Sequence, residues 1–160
     1  MAGASGSGKS TILPHLLAEL AGVAVVFDCD WLIDPLGGEK GIAGVDWAAF
    51  RDAWLHVAHG VAQNGLPTVL LGPFIPAHLD ELPGRRWVTD VHYVVLDCPD
   101  DERRHRIEAR PPWRSRDIED QVLFGQRLRD NLPDSVDTSC GSPAESAHQV
   151  AIIIRRHLDG

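Results

Sequence analysis

The eight residues Gly3 to Ser10, GASGSGKS, fit the pattern G-x-x-x-x-G-K-[ST] at every fixed position. In that pattern the glycines permit turns that point successive N–H groups inward around phosphate oxygens. The lysine reaches the outer phosphates and the hydroxyl residue ligates magnesium. Such a loop belongs between a buried strand and a helix whose N-terminus adds positive potential. The helix is legible, because Ile12, Leu13, Leu16, Leu17 and Leu20 recur at helical spacing across residues 8 to 21. Pro14 falls near its first turn, where a missing N–H costs least. The strand is not legible, since only Met1 and Ala2 precede the loop. The expectation is that Met1 is not the natural start and that roughly five to eight upstream residues complete a central strand. Without them the neighbouring strand edges stand unpaired, and the chain alone should be poorly soluble.

The rest of the chain alternates strands and helices. Short apolar runs at 23 to 27 (VAVVF), 67 to 71 (PTVLL) and 91 to 97 (VHYVVLD) read as strands. Helices are expected over about 46 to 63, in the arginine-rich stretch after residue 100, and over about 117 to 131. A glycine-rich connection spans Pro35 to Gly44, a helical turn lies near 76 to 82, and VDTS at 136 to 139 is extended. The last helix has a clear start signal in Ser142 as N-cap, Pro143 at its first position and Glu145 closing a capping box. This order implies α/β architecture, a parallel sheet with helices on both faces, in one domain over residues 1–160. Ligands bind beyond the carboxyl ends of such strands. That gathers Gly3 to Ser10, Asp28 to Asp30, Gly72-Pro73 and Asp137 to Ser139 onto one rim.

Within the loop, Gly3, Ser5, Gly6, Ser7, Gly8, Lys9, Ser10 and Thr11 are the candidate ATP-binding residues, with Ser10 on magnesium. Asp28 and Asp30 stand two apart at a strand end, so an extended backbone would point both carboxylates one way. Either can accept a proton from an attacking hydroxyl, and the other can hold Mg2+; Asp30 is the first candidate base and Asp28 the first metal ligand. From Arg103 to Arg116 six arginines (103, 104, 106, 110, 114, 116) face one acid, Glu108. Such a segment repels itself unless anions visit it, and arginine forks stabilise a transferring phosphoryl group. Arg110 and Arg114 flank the Pro-Pro-Trp break of a lid over about 103–130. Trp31, Trp47 and Trp54 are candidates to line an acceptor pocket, whereas His56 and His59 lack a third metal ligand.

The formal charge of -8 argues against a nucleic-acid backbone as partner. No apolar run approaches the roughly 20 residues of a membrane span, and no signal peptide is evident. Cys29, Cys98 and Cys140 lack paired spacing and read as reduced, buried thiols of a cytoplasmic protein.

In order, GASGSGKST, FDCDWLID, an arginine-rich lid and a DTS strand before a closing helix resemble the P-loop nucleoside and nucleotide kinases of the adenylate-kinase-like group, including the chloramphenicol phosphotransferases. The resemblance implies a P-loop NTPase fold, three layers with a five-stranded parallel sheet and the loop's strand at its centre. It also implies an ATP-dependent kinase passing the γ-phosphoryl group to a nucleoside or nucleotide. Chloramphenicol phosphotransferases carry their catalytic aspartate in a segment like Phe27 to Ile33, which places that role on Asp30; lid arginines of the group correspond to Arg110 and Arg114. One departure is Gly72-Pro73, where kinases of the group often have an acid that helps hold magnesium. Two alternatives stand beside this reading: an antibiotic or metabolite phosphotransferase with a tryptophan-lined pocket, and an ATP-binding module without catalysis.

Overall fold

A computed structural model describes residues 1–88, 90–111 and 117–159. The chain divides into two compact units, Met1–Glu19 with His92–Gly160, and Leu20–Val91. Among the described residues no helix is long and apolar enough to cross a membrane.

The first unit begins with the glycine loop and runs directly into α1 (Lys9–Glu19). Its sheet pairs β3 (Val94–Asp97) with β4 (Asp134–Asp137) in parallel, Val94 opposite Asp134 and Asp97 opposite Asp137. Ahead of the loop, Ala2 forms an isolated parallel bridge with Val95 on the other side of β3. Ala2 donates its N–H to Val94 O at 2.8 Å and accepts from Leu96 N at 2.8 Å, so the loop is tethered to β3 by ladder bonds. Ala2, Val95 and Leu96 are fully buried. Helix α4 (Asp100–Glu108) follows β3, α5 (Ile118–Asn131) leads into β4, and α6 (Pro143–Leu158) closes the chain. The capping box at Ser142 forms as read, with Glu145 N–H on Ser142 Oγ and Ser142 N–H on the Glu145 carboxylate. One face of α6 buries Ala147, Val150, Ala151 and Ile154, and α6 packs against α1, which buries Ile12 and Leu16. The small alanines let the helices approach closely, and Arg155 ties the pair by donating to Glu19 O at 2.6 Å.

In the second unit β1 (Val25–Asp28) and β2 (Thr68–Leu71) pair in parallel, Val25 opposite Thr68 and Asp28 opposite Leu71. Between them lie α2 (Ile33–Gly37) and α3 (Trp47–Ala62). Asp46 caps α3 as its carboxylate accepts from Ala48 N and Ala49 N at 3.0 and 3.1 Å.

Three local expectations give way. The backbone does not stay extended past Asp28, because Asp28 Oδ1 accepts the Asp30 N–H at 3.0 Å and starts a 3₁₀ turn, Cys29–Leu32. This is the aspartate turn that competes with strand continuation. The glycine-rich connection is not open loop but α2 followed by 3₁₀ structure over Gly38–Gly44. The helical turn near 76 to 82 shrinks to Pro76–His78, with a further 3₁₀ stretch at Pro83–Trp87.

Candidate active site

The phosphate loop is held by its glycines from within and by arginines from outside. Gly6 and Gly8 have φ of 81° and 89°, a region that disfavours side chains. A Cβ on Gly6 would also press on Arg103 and Ile107 at 3.2 Å, so α4 lies directly against the loop. Lys9 Nζ donates to Gly3 O at 2.7 Å and Ala4 O at 3.0 Å, which folds its ammonium back onto the start of the loop. Ser7 is fully buried, and a Cβ on Gly3 would sit 2.5 Å from its hydroxyl. Ser7 N–H turns back to Ala4 O at 3.2 Å. Ser10 and Thr11 are exposed in the first turn of α1. That turn directs N–H groups and the positive helix end toward the loop.

A cavity of about 550 Å³ opens over this loop, lined by Gly6, Gly8 and Thr11 together with Arg106, Arg110, Thr138 and Ser139. Its volume falls within the roughly 300–1,000 Å³ usual for small-molecule sites. Arg110 donates to Ser5 Oγ at 2.8 Å. Arg106 donates to Gly6 O at 3.3 Å, Thr138 Oγ1 at 3.0 Å and Thr138 O at 2.9 Å, with Glu102 on its Nε at 2.7 Å. Thr138 Oγ1 lies 3.0 Å from both Ser7 O and Asp97 O, so the segment after β4 is stitched to the loop and to β3. At the same rim Ser139 donates its N–H and hydroxyl to Asp137, which holds that carboxyl below the usual carboxylate range.

Gln121, which accepts the Ser5 N–H, lay outside the sequence reading, and Arg103, Arg106 and Thr138, named there only within the arginine segment and the rim, prove to bond the loop directly. The available signal was spacing: Arg103, Arg106 and Arg110 fall three and four apart, on one side of a helix. Part of the segment's charge is balanced from nearby: Asp97 takes Arg103, Glu119 and Asp101 take Arg104, and Glu102 takes Arg106. Arg114 and the Pro-Pro-Trp break after Pro111 lie outside the described residues. Cys98 is buried, and burial pushes its thiol up; Cys29 is buried too, but Cys140 is exposed, 3.8 Å from an Asp137 oxygen, contrary to expectation.

In the second unit Asp28 is buried and its Oδ1 is occupied by the Asp30 N–H, while the Asp30 side chain is exposed. Phe27 packs against Trp31 and Trp54 at centroid distances of 6.2 and 5.5 Å. Trp54 is nearly all buried and Trp31 is 54% exposed, so only the latter presents a free face. Arg51 lies over Trp47 at 5.9 Å, and its Nε is buried with no hydrogen-bond partner among the described residues. Burial lowers the Arg51 pKa, and it lowers that of His78, which the Arg51 charge depresses further. Position 72 is glycine for space: a Cβ there would lie 2.6 Å from the Phe74 ring and 3.0 Å from Cys29 Sγ.

A glycine loop tethered to a parallel sheet, opening a helix and facing arginines across one cavity, defines a phosphate-binding α/β protein of the P-loop kinase-like fold. The chain belongs to the AAA domain family (AAA_33), whose model matches residues 1–129. Among solved structures it is similar to a sugar kinase from Janibacter sp. HTCC2649, at 19% identity and TM-score 0.64, covering 96% of this chain and 91% of that one. It is also similar to the tunicamycin resistance protein of Deinococcus radiodurans, at 18% identity and TM-score 0.69, covering 96% and 92% of the two chains. Shikimate kinase from Acinetobacter baumannii, solved with shikimate, matches at 20% identity and TM-score 0.61, covering 97% and 90%. No curated protein sequence matches the chain.

The residues present fit a nucleoside triphosphate. The positive-φ glycines, the helix N-terminus, Lys9 and the arginine-lined cavity together supply the donors that a polyphosphate needs. Ser10 would hold Mg2+ beside the phosphates, an ion that typically keeps several waters and takes few protein ligands.

Proposed function

We propose that this protein is an ATP-dependent kinase of a small molecule, with a nucleoside or nucleotide as acceptor. The observation that carries the reading is the single cavity shared by the glycine loop, the first turn of α1 and Arg110. In the reaction the bond between the γ-phosphorus and the β–γ bridging oxygen breaks, and a bond forms from the acceptor hydroxyl to phosphorus. The hydroxyl proton passes to an aspartate and ADP leaves. Magnesium supplies charge neutralisation at the phosphates. Loop N–H groups and Lys9 bind the phosphates; Arg110 and Arg114 stabilise charge on the transferring group. Asp30 is the base, since its carboxylate is exposed, while Asp28 is buried with Oδ1 committed to the turn and stands as the metal-side carboxylate.

The kinds of acceptor named for the similar structures, a sugar and shikimate, support a hydroxylated small molecule. The positive charge of Arg51, whose Nε has no hydrogen-bond partner among the described residues, favours an acceptor that carries an anionic group, as a nucleotide does. The aromatic group of Phe27, Trp31 and Trp54 favours the second reading, a neutral antibiotic or metabolite phosphotransferase. ADP release with magnesium ATP, measured against nucleosides, nucleoside monophosphates, sugars and hydroxylated antibiotics, separates the two. Asp30→Asn should lower turnover with the active acceptor by about 10²- to 10⁴-fold while ATP binding persists. Unchanged turnover would remove Asp30 from the chemistry. ATP binding without stimulation by any acceptor would leave a binding module.

A further inference from the structure

We propose that Ser5, a variable position of the loop pattern, is the clamp through which α4 and α5 hold the phosphate loop and set Arg110 at its cavity. Every polar atom of Ser5 is engaged by a residue from outside the loop. Its N–H donates to Gln121 Oε1 of α5 at 2.9 Å. Its carbonyl accepts from Arg103 of α4 at 3.2 Å, and its hydroxyl accepts from Arg110 at 2.8 Å. The three partners lie 98 to 116 residues along the chain from Ser5.

The chemistry of each partner suits the place. The Ser5 N–H is committed to a side chain instead of the cradle, and Gln121 satisfies it without a charge. A carboxylate at 121 would accept the same bond but set a negative charge beside a loop built for anions. Arg103 is fully buried and fixed by Asp97 at 2.7 Å, so its grip on the Ser5 carbonyl does not swing. Gly125, one turn beyond Gln121 in α5, makes room for it; a Cβ there would lie 2.8 Å from the Arg103 Cζ. The Ser5 hydroxyl anchors a cavity-lining guanidinium, which limits the rotamers Arg110 samples. Gln121, Arg103 and the Ser5 hydroxyl are positioning groups. They act through the loop backbone and through Arg110.

The consequence for turnover rests on the kinase reading, but the clamp itself can be read without nucleotide. Amide exchange of Ser5 by NMR in the nucleotide-free protein should show protection. Gln121→Ala should speed exchange at Ser5 about tenfold or more, while Gln121→Glu keeps the acceptor and the protection yet weakens ATP binding. In turnover, Ser5→Ala should lower kcat more than it raises KM for ATP, and Ser5→Thr should restore it. Because Ser5 acts through Arg110, the double variant Ser5→Ala with Arg110→Gln should lose no more than Arg110→Gln alone. An unprotected Ser5 amide, one indifferent to Gln121→Ala, or additive losses in the double variant would overturn the clamp. A protected, Gln121-dependent Ser5 amide in a protein that does not bind ATP would sustain the clamp and overturn the reading of the loop.

Discussion

Asp97 shows how one partly exposed carboxylate organises the site. It ends β3 and takes two guanidinium groups, Arg103 at 2.7 Å and Arg129 at 2.6 Å. The hydrogen bonds that Arg129 donates to Asp97 hold the Arg129 pKa well above its usual value. Arg103 has no exposure, whereas Arg129 reaches solvent. The two sides of this group therefore respond differently to substitution. Arg103→Met removes a buried charge and leaves Asp97 paired with Arg129, at a cost of about 1–3 kcal/mol. Asp97→Asn leaves a guanidinium in the interior with no counter-charge, at about 3–5 kcal/mol. Urea unfolding of both variants checks the order. Equal losses would mean that packing of the Arg103 stem, and not its charge, is what matters.

At the scale of elements, caps set where the helices start. The Asp46 carboxylate meets two N–H groups of α3, the helix that carries Arg51 and Trp54. Asp46→Ala should cost about 1 kcal/mol, and Asp46→Ser should recover most of it, both read by urea unfolding. Much at this scale was legible in the sequence because it follows from local rules. The periodicity of Ile12 and Leu16, the valine-rich run before Asp28 and the Ser142 to Glu145 box all give elements within two residues of those expected. What was not legible depends on distant partners or on a turn competing with a strand. The Asp28 side chain ends the extended backbone that would have aligned it with Asp30. The single bridge at Ala2 is visible only once β3 is beside it. The arginines read as one charged block separate into one buried strut, Arg103, a surface ion pair at Arg104, and the cavity-lining Arg106 and Arg110. Counting charge from Arg103 onward left out Asp97, Asp101 and Glu102, the carboxylates that pair with Arg103, Arg104 and Arg106.

For the whole molecule, acidity is the variable that reaches most of these contacts together. Asp100, bonded by Gln126 and then Arg129, and Asp137, bonded by Ser139, have pKa values lowered in the folded chain. A carboxyl with a depressed folded pKa adds stability above its unfolded value of about 3.9, and that contribution is lost as pH falls through the folded value. Below that range the 23 acidic residues no longer offset 15 lysines and arginines and 8 histidines, so general repulsion adds to the specific loss. Stability should therefore hold between about pH 7 and pH 5 and fall steeply below about pH 4. Asp137→Asn isolates the specific part. Its neutral side chain gives up the charge-assisted bonds from Ser139, so the variant should unfold at lower urea than the parent at pH 7. As the parent's Asp137 takes up its proton, the two urea midpoints should converge toward pH 2. A gap that stays constant from pH 7 to pH 2 would assign the loss to altered packing at the cavity rim instead of to the ionised carboxylate.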